Sequence, residues 1–273
     1  MAVEAIGRVL RNRPITSDCF LVDIDSAPIA SAAVPGQFVM LKTSEDDHPI
    51  LRRPFSLYRC YPPSHPEPEK RGRISLLVKK VGAGTAKMRE FKEGQDVSLI
   101  GPLGTGYTPP PLPSSANTIL IAGGIGIASL FFLAETLHFE NLSVFIGGRT
   151  GRDVLCLEDF SRANARVFVA TEDGSLGTQG TVIDLFFSQP GRFKAKEPPY
   201  LYACGPTGML RALAARLEPG RFISQVSLES RMACGFGACW GCVVRTTDLE
   251  TPYQRVCKEG PVFSLEHVDW NSQ

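Results

Sequence analysis

Residues 118–134 read TILIAGGIGIASLFFLA, a run without a charged side chain whose centre holds Gly123, Gly124 and Gly126. A membrane-spanning helix needs about 20 consecutive apolar residues, whereas a central glycine cluster is typical of a sharp turn between a buried strand and a helix. We therefore predict a strand over residues 118–122, a glycine turn, and a helix over residues 127–137.

The same alternation of elements continues downstream of this turn. Strands are predicted at residues 143–146, 167–170, 200–203 and 222–226, and helices at 182–187 and 208–217. Alternating strands and helices are typical of a parallel sheet covered by helices. We therefore predict an α/β domain over residues 113–226.

The residues upstream of the turn have a different pattern. Short apolar runs at 20–22, 38–41, 74–78 and 97–100 are separated by segments rich in Gly, Pro and Asp. Short strands without a long helical pattern favour a small antiparallel β-barrel, which we predict over residues 1–112. The proline-rich run at 108–115 cannot join a sheet ladder and favours extended backbone, so the domain boundary is placed there.

Composition and charge exclude several classes of function. The 273 residues include 29 Lys and Arg against 28 Asp and Glu, a formal charge of +1. Without a basic stripe or a hydrophobic span, neither nucleic acid nor a membrane is an expected partner. The first residues show no secretory signal, so we expect a cytoplasmic protein. In that setting, clustered cysteines hold metal more often than they form disulfides.

Four of the eight cysteines lie close together near the C-terminus. Residues 234–242 read CGFGACWGC, and a further cysteine follows at 257. This is the plant-type C-x4-C-x2-C…C spacing of [2Fe–2S] sites, and glycines 235, 237 and 241 let the backbone wrap closely and point N–H groups at sulfur. Structural zinc is the main alternative, although zinc sites usually show two paired cysteine knuckles. We predict one [2Fe–2S] cluster with the ligands Cys234, Cys239, Cys242 and Cys257.

Two segments of the predicted barrel have features that suit a phosphate-bearing ligand. An arginine fork on a strand suits a pyrophosphate, and a glycine turn that opens a helix, predicted over residues 86–91, offers free N–H groups. Each feature alone is also compatible with an ordinary strand face. Arg53 and Ser56 lie in the first segment, and Gly84 and Thr85 lie in the second.

Two further segments lie where α/β sheets bind ligands, at the C-terminal ends of strands. The first is the glycine turn Gly123, Gly124 and Gly126, which lacks the full G-x-G-x-x-G spacing and is equally compatible with close helix–strand packing. The second is Cys204-Gly205-Pro206, where a buried cysteine is often no more than packing.

Four of these features resemble, in their order along the chain, those of the ferredoxin-NADP+ reductase superfamily over residues 1–225. They are Arg-x-x-Ser at 53–56, Gly-Thr at 84–85, the glycine turn at 123–126 and Cys-Gly-Pro at 204–206. The resemblance implies a barrel that binds FAD followed by a domain that binds a nicotinamide dinucleotide. It further implies that Arg53 holds the FAD phosphates, that Ser56 lies near the reactive flavin nitrogen, and that Cys204, the tentative catalytic residue, lies near the nicotinamide carbon that exchanges hydride. Strand residues 77–79 would present alternate side chains and backbone groups to FAD. The predicted FAD contacts are Arg53, Pro54, Phe55, Ser56, Leu77, Val78, Lys79, Gly84 and Thr85.

The C-terminal segment and one stretch in the middle of the chain narrow the resemblance to one family. Residues 171–177, 228–235 and 257–263 look like those of the electron-transfer subunits of type B dihydroorotate dehydrogenases. That resemblance implies a cluster segment over residues 227–273 and an FMN-containing catalytic partner subunit in a heterotetramer of two copies of each chain. It also implies electron transfer from FMN through [2Fe–2S] and FAD to NAD+, an exchangeable substrate, in pyrimidine biosynthesis.

Two features depart from the family pattern. The proline-rich insertion at residues 61–73, expected as an exposed loop, lengthens a connection, and Gly208 stands where a proline is common. Two other functions also remain open. One is an NAD(P)H:acceptor reductase subunit that serves a different redox partner. The other is a non-redox zinc-binding adaptor, which would be colourless.

The choice between NAD and NADP depends on charges at the sheet edge. The strand that ends near residue 170 runs into Glu172 and Asp173, and carboxylates there would bind a ribose hydroxyl and repel a 2′-phosphate. Arg149 and Arg152 follow the preceding strand and could bind either a 2′-phosphate or the common pyrophosphate. We expect a preference for NAD.

Overall fold

The N-terminal half folds into one antiparallel sheet of seven strands in the order β4-β3-β7-β1-β2-β6-β5. The computed structural model describes residues 2–44, 48–111, 116–163, 165–189 and 197–272. Elements of this half are β1 (Val3–Pro14), β2 (Cys19–Asp25), α1 (Ala27–Ala32), β3 (Phe38–Leu41), β4 (Arg53–Ser56), β5 (Arg59–Tyr61), β6 (Arg73–Lys79), α2 (Ala83–Met88) and β7 (Asp96–Leu103).

This sheet curls because of its connectivity. Its two edge strands, β4 and β5, are consecutive in the chain and are separated by only Leu57 and Tyr58. A sheet whose two edges are joined by so short a connection has to bend until those edges approach each other. Its inner face is filled by fully buried aliphatic side chains such as Ile24, Leu41 and Leu76. The predicted barrel-type fold is confirmed.

The C-terminal half forms a second seven-stranded sheet in the order β11-β10-β9-β8-β12-β13-β16. Neighbouring strands are parallel except β16, which runs antiparallel to β13. Its elements, with the cysteine segment, are β8 (Asn117–Gly123), α3 (Ile127–Leu137), β9 (Asn141–Gly148), α4 (Leu157–Arg162), β10 (Arg166–Thr171), β11 (Thr178–Gln179), α5 (Val182–Phe187), β12 (Tyr200–Cys204), α6 (Thr207–Arg216), β13 (Ile223–Ser227), β14 (Val243–Arg245), β15 (Tyr253–Arg255) and β16 (Val262–Ser264).

Chain order reverses between β8 and β12, which are neighbours in the sheet although β9 to β11 come between them in sequence. Cys204, the last residue of β12, lies beside Ala122 of β8. The glycine turn and the Cys204-Gly205-Pro206 segment therefore meet at the switch point, which is where open α/β sheets bind ligands.

Local predictions and structure agree best in the α/β half. The helices at residues 127–137 and 182–187 match α3 and α5, and the predicted strands match β8, β9, β10, β12 and β13 within two residues at each end. The helix predicted at residues 86–91 is wrong in its limits, since α2 begins at Ala83. Its start is set by the Thr85 hydroxyl, which accepts the N–H groups of Val81 and Gly82 at 2.9 and 3.1 Å.

The expectation for the connection between β5 and β6 changes in part. The insertion at residues 61–73 is exposed over most of its length, but its end residues belong to β5 and β6, and Tyr61 is buried. The boundary predicted at residue 112 lies outside the described residues. Just before it, the Thr108 carbonyl accepts hydrogen bonds from Tyr202 Oη at 2.9 Å and Gln225 Nε2 at 2.8 Å.

The cysteine segment is part of the second sheet. Its last strand, β16, pairs with β13, and Gln225 lies opposite Ser264. The border predicted at residue 227 thus falls between strands that share one sheet, and this pairing was not predicted. Within the described ranges, none of the helices has the length and hydrophobicity that crossing a bilayer requires.

A polar cluster joins the two halves. Arg59 of β5 donates from Nη2 to Asp159 Oδ1 of α4 at 2.6 Å, and its Nε lies 3.7 Å from Glu135 Oε1 of α3. Tyr58 donates its hydroxyl to the other oxygen of Asp159. The Arg59 guanidinium also lies 4.8 Å from the centre of the Phe131 ring. These contacts hold the barrel against the α/β domain.

We expect Asp159→Ala to lower the free energy of unfolding by about 1.5–3 kcal/mol, because it removes a charge-assisted hydrogen bond and leaves the Arg59 guanidinium partly buried without its carboxylate. Chemical denaturation measures this loss. Glu158→Ala is the matched control, because the neighbouring Glu158 side chain is 88% exposed and its removal should change stability by less than about 0.5 kcal/mol. Equal effects of the two variants would contradict the role of this cluster.

Candidate functional site

A cavity of about 530 Å³, here called the barrel cavity, lies between the barrel and the C-terminal end of the second sheet. Every residue predicted from the sequence to bind the barrel ligand lines it. Gly126 and Cys204 line its far wall. The barrel residues in its wall are Arg53, Pro54, Phe55, Ser56, Leu77, Val78, Lys79, Gly84 and Thr85.

One end of the barrel cavity is suited to an anionic group. Arg53 lies against Gly84, where an added Cβ would be 3.6 Å from the arginine Nε and 3.1 Å from Thr43 Oγ1. Thr43 is fully buried, and its hydroxyl has no hydrogen-bond partner among the described residues. Thr43 does not line the cavity, so the features in its wall are the Arg53 cation and the Gly84 backbone, which carries no side chain. These features fit the phosphates of a dinucleotide such as FAD.

A second cavity of about 530 Å³, here called the edge cavity, opens along the switch point. Gly123, Gly124 and Pro206 line it, together with Gly147 and Gly148 at the end of β9. Gly205 lines neither of these two cavities. An added Cβ there would be 2.9 Å from the Gly123 nitrogen, so Gly205 serves close packing.

The two cavities adjoin, because Lys79, Ile125 and Glu229 line both of them. Lys79 Nζ donates to Asp153 Oδ1 at 2.7 Å and lies 3.5 Å from Asp18 Oδ2, so the lysine bridges the barrel and the α/β domain at this common wall. Ligands bound in the two cavities would therefore be neighbours.

Cys204 and Glu229 are titratable residues in the walls of these cavities. Cys204 is buried at the end of β12, and burial raises the pKa of its thiol to about 12, so the thiol is neutral. Glu229 faces the open volume of both cavities, and desolvation by the surrounding protein raises the pKa of its carboxyl. The sequence analysis missed Glu229. Its position just beyond the end of β13, at the ligand-binding edge, was the available signal.

The four clustered cysteines occupy the loop between β13 and β14 and the turn after β15. Cys242 and Cys257 are buried, whereas Cys239 is exposed. Backbone N–H groups point at sulfur in three places, each with an N···S distance of 3.4 Å: from Cys239 to Cys234, from Gly241 to Cys239, and from Cys257 to Cys242. Such bonds stabilise thiolates and are a common feature of iron–sulfur sites.

The Cys234 thiol shows the effect of these bonds most clearly. Burial acts to raise its pKa, but the N–H groups of Cys239, Phe236 and Ala238 outweigh burial and lower the pKa to about 6. Across the described ranges, no three Cys, His, Asp or Glu side chains converge as a single metal ion requires. The prediction of these ligands thus depends on their spacing and on the N–H···S bonds.

Backbone conformation explains two of the loop glycines. Gly235 has φ +80° and its added Cβ would be 2.6 Å from Met40 Sδ, while Gly237 has φ +91° and would meet Lys258 Cδ at 2.7 Å. Gly241 does not adopt a positive φ. The residue with a left-handed conformation there is Trp240, with φ 57°. This conformation is strained for a bulky residue, and it belongs to the turn that points the Gly241 N–H at the Cys239 sulfur.

The cysteine loop begins at the wall of the barrel cavity. Ser230 and Met232 line that cavity, and Cys234 follows Met232 by two residues. Phe38 of β3 also lines the cavity, and Met40 of the same strand packs against Gly235. A group held by the four thiols would therefore lie close to a ligand in the barrel cavity.

Known proteins place this arrangement in a family. Residues 229–269 match the family described as the iron–sulfur cluster binding domain of dihydroorotate dehydrogenase B. The "dihydroorotate dehydrogenase B (NAD(+)), electron transfer subunit" of Desulforamulus reducens is 37% identical over 267 residues, covering 97% of this chain and 97% of the relative. The chain belongs to the dihydroorotate dehydrogenase B electron transfer subunits. The subunit of Bacillus caldolyticus is also 37% identical, over 96% of this chain and 99% of its own.

Solved structures agree with the family and the fold. The NADH-dependent reduced ferredoxin-NADP oxidoreductase, described for flavin-based electron bifurcation, shares 28% identity and a TM-score of 0.81 over 98% of this chain and 91% of its own. Ferredoxin NADP+ reductase of Neisseria gonorrhoeae, solved with FAD and NADP, shares 16% identity and a TM-score of 0.64 over 82% of this chain and 99% of its own, a likeness of fold. The predicted family and fold class are confirmed.

We expect Arg53→Ala to weaken FAD binding about tenfold or more, because a charge-assisted contact to phosphate contributes about 1.5–3 kcal/mol. Flavin fluorescence during titration of the stripped subunit measures the affinity. Arg52→Ala is the control, since Arg52 bonds Glu4 at 2.6 Å and Ser98 at 2.9 Å and does not line the barrel cavity. Unchanged FAD affinity in Arg53→Ala would refute the phosphate contact.

We expect Cys257→Ser to lose most of the visible absorbance of the cluster while FAD is retained, because a hydroxyl is a much poorer ligand for iron than a thiolate. Iron and flavin content of the purified variant measure this outcome. Cys60→Ser is the control, because Cys60 lies in β5 and its Sγ donates to the Ala30 carbonyl at 3.4 Å. Retention of both irons in Cys257→Ser would remove Cys257 from the ligand set.

Proposed function

We propose that this chain is the electron-transfer subunit of an NAD-dependent dihydroorotate dehydrogenase and passes electrons from a catalytic partner subunit to NAD+ in pyrimidine biosynthesis. The observation that carries this proposal is the common wall of the two cavities, from which the cysteine loop also begins. When bound, FAD exchanges hydride with a nicotinamide and single electrons with an iron–sulfur cluster.

In this proposal the barrel cavity holds FAD. Arg53 binds the phosphates beside Gly84 and Thr85. The other β4 residues, Pro54, Phe55 and Ser56, lie along the isoalloxazine ring. Residues 77–79 at the end of β6 complete the wall. Because both cavities reach Lys79, its ion pair with Asp153 keeps the barrel and the α/β domain in the relative position that the two ligands require.

The edge cavity takes the exchangeable NAD. Gly123 and Gly124 leave room for the dinucleotide at the switch point. Cys204, at the end of β12, lines the adjoining barrel cavity, and its neutral thiol adds no charge on the side from which the nicotinamide meets the flavin. Glu229 faces both ligands. Desolvation raises the pKa of its carboxyl, and its place in the walls of both cavities makes it a candidate positioning group that the sequence analysis missed.

The charges in the edge cavity favour NAD. Glu172 lines this cavity, and Arg149, which also lines it, lies 3.6 Å from Asp153 Oδ2. The Asp173 carboxylate is engaged by the N–H and hydroxyl of Ser175 at 3.0 and 2.6 Å. The carboxylate of Glu172 therefore points to recognition of a ribose hydroxyl, since it would repel a 2′-phosphate.

The catalytic partner docks over the cysteine loop in this proposal. Phe236 and Trp240 are each 53% exposed, and Val243 and Tyr253 nearby are also exposed, so an apolar face surrounds the exposed Cys239. Apolar and aromatic side chains with such exposure are typical of interface centres. We propose that this partner carries FMN and that two copies of each chain assemble.

A second candidate function has one observation in its favour. The chain shares a TM-score of 0.81 and 28% identity with an NADH-dependent reduced ferredoxin-NADP oxidoreductase. This similarity is compatible with an NAD(P)H:acceptor reductase subunit that serves another redox partner. Structural similarity alone does not choose between the two functions, so the identity of the partner distinguishes them.

Co-expression of this chain with the candidate catalytic subunit tests the function. We expect the two chains to co-purify with FMN, FAD and iron, and the complex to reduce NAD+ in the presence of dihydroorotate. The catalytic subunit alone should oxidise dihydroorotate with an artificial acceptor but should not reduce NAD+. A complex that forms but transfers no electrons from dihydroorotate to NAD+ would favour the second candidate.

The same complex tests the docking face. Trp240→Ala should weaken subunit association at least about tenfold, since truncation at an interface centre commonly costs about 2 kcal/mol. If Trp240 instead shields the iron from water, association stays normal and the cluster decays faster in air. Normal association together with normal cluster decay would contradict both roles.

Steady-state kinetics test the cofactor preference. We expect a higher kcat/KM with NAD(H) than with NADP(H), and Glu172→Gln should narrow that ratio about fivefold, because charge repulsion at a partly exposed site is worth about 1 kcal/mol. Glu158→Gln, on the exposed face of α4, is the control. A wild-type preference for NADP(H) would overturn the expectation.

A further inference from the structure

Arg255, the last residue of β15, contacts the loop that carries three of the four clustered cysteines. Its Nη1 donates to the Gly237 carbonyl at 2.7 Å, midway between Cys234 and Cys239 in sequence. Its guanidinium carbon lies 4.4 Å from the centre of the Trp240 ring, between Cys239 and Cys242. The side chain is only 14% exposed, so these contacts are part of the packed structure.

The same arginine also fastens the turn that carries the fourth cysteine. Glu259 Oε2 accepts from Arg255 Nε at 3.0 Å and from the Arg255 backbone N–H at 2.8 Å, while Nη2 lies 2.5 Å from Oε1. The Arg255 carbonyl in turn accepts the N–H groups of Lys258 and Glu259 at 3.1 and 3.0 Å. Cys257 lies inside this closed turn.

We propose that Arg255 is a positioning residue for the iron–sulfur site, which locks the Cys257 turn onto the three-cysteine loop and places a permanent positive charge beside the sulfurs. The inference rests on the assignment of the four cysteines as ligands. The guanidinium suits this role because its rigid fork serves a carbonyl and a carboxylate at once while its plane stacks on an aromatic ring. A lysine ammonium would keep the charge but lose this geometry.

The position and the charge of the Arg255 guanidinium affect the iron–sulfur site in two separate ways. If Arg255 joins the two parts of the ligand set, its loss lets the Cys257 turn open and iron escapes faster. If its charge acts on the sulfurs, its loss disfavours the reduced site, because one-electron reduction adds a negative charge among four thiolates and net charge is one determinant of the potential. The midpoint potential would then fall.

The test compares the wild-type chain, with its FAD and cluster, with the variants Arg255→Met and Arg255→Lys. Loss of visible absorbance in the presence of an iron chelator gives the rate of iron release, and a dye-mediated titration monitored by electron paramagnetic resonance gives the midpoint potential. Arg245→Met is the matched control, because Arg245 lies on the paired strand β14, 3.3 Å from Asp269 Oδ2.

We expect Arg255→Met to release iron about tenfold faster and to have a lower midpoint potential than the wild type. Arg255→Lys should also release iron faster but keep a potential close to that of the wild type. Arg245→Met should release iron at the wild-type rate. Wild-type iron release in both Arg255 variants would overturn the positioning role, and an unchanged potential in Arg255→Met would overturn the effect of its charge.

Two further results distinguish failure of the Arg255 role from failure of the ligand assignment. An Arg255→Met chain that retains FAD but takes up no iron supports the positioning role, whereas one that loses FAD as well overturns it in favour of general misfolding. Retention of both irons in Cys257→Ser would show that the ligand assignment has failed, whatever the Arg255 variants do.

Discussion

The approach of the glycine turn after β8 to the end of β12 is the contact on which both cavities depend. A Cβ on Gly126 would be 2.6 Å from the Cys204 carbonyl carbon, and a Cβ on Gly123 would be 2.7 Å from Met209 Sδ. Side chains at these positions would push α3 and α6 away from the sheet edge. Because the turn stays close, Ile125 can contribute to both cavities, and Cys204 lines the barrel cavity.

The cysteine segment is held by both halves of the molecule. Its strand β16 extends the second sheet, and the N–H of Thr105, at the end of the barrel, donates to the Gly260 carbonyl at 2.5 Å. Met40 of β3 packs on Gly235. The cysteine segment therefore shares packing and hydrogen bonds with both the barrel and the second sheet. The short path from Met232 to Cys234 follows from this integration.

The parts that could be predicted are those whose signal is local. The glycine turn and α3 were read correctly because an uncharged apolar run and its glycines lie within seventeen consecutive residues, 118–134. The barrel contacts from Arg53 to Thr85 were predicted through a family resemblance, and the structure brings all of them to one cavity. The limits of α2 were missed because a single hydroxyl, that of Thr85, decides where the helix starts.

By itself, the sequence determined five strands and three helices of the α/β half, the cysteine spacing and the family, since each depends on residues near one another in the chain or on motifs in order. Only the tertiary structure decided which distant residues meet: Glu229 at the common wall of the cavities, Lys79 with Asp153, Arg59 with Asp159, and Arg255 between two parts of one ligand set. Such pairs have no local periodicity. Their contact is set by sheet order and by the packing of the two halves, which no window of sequence contains.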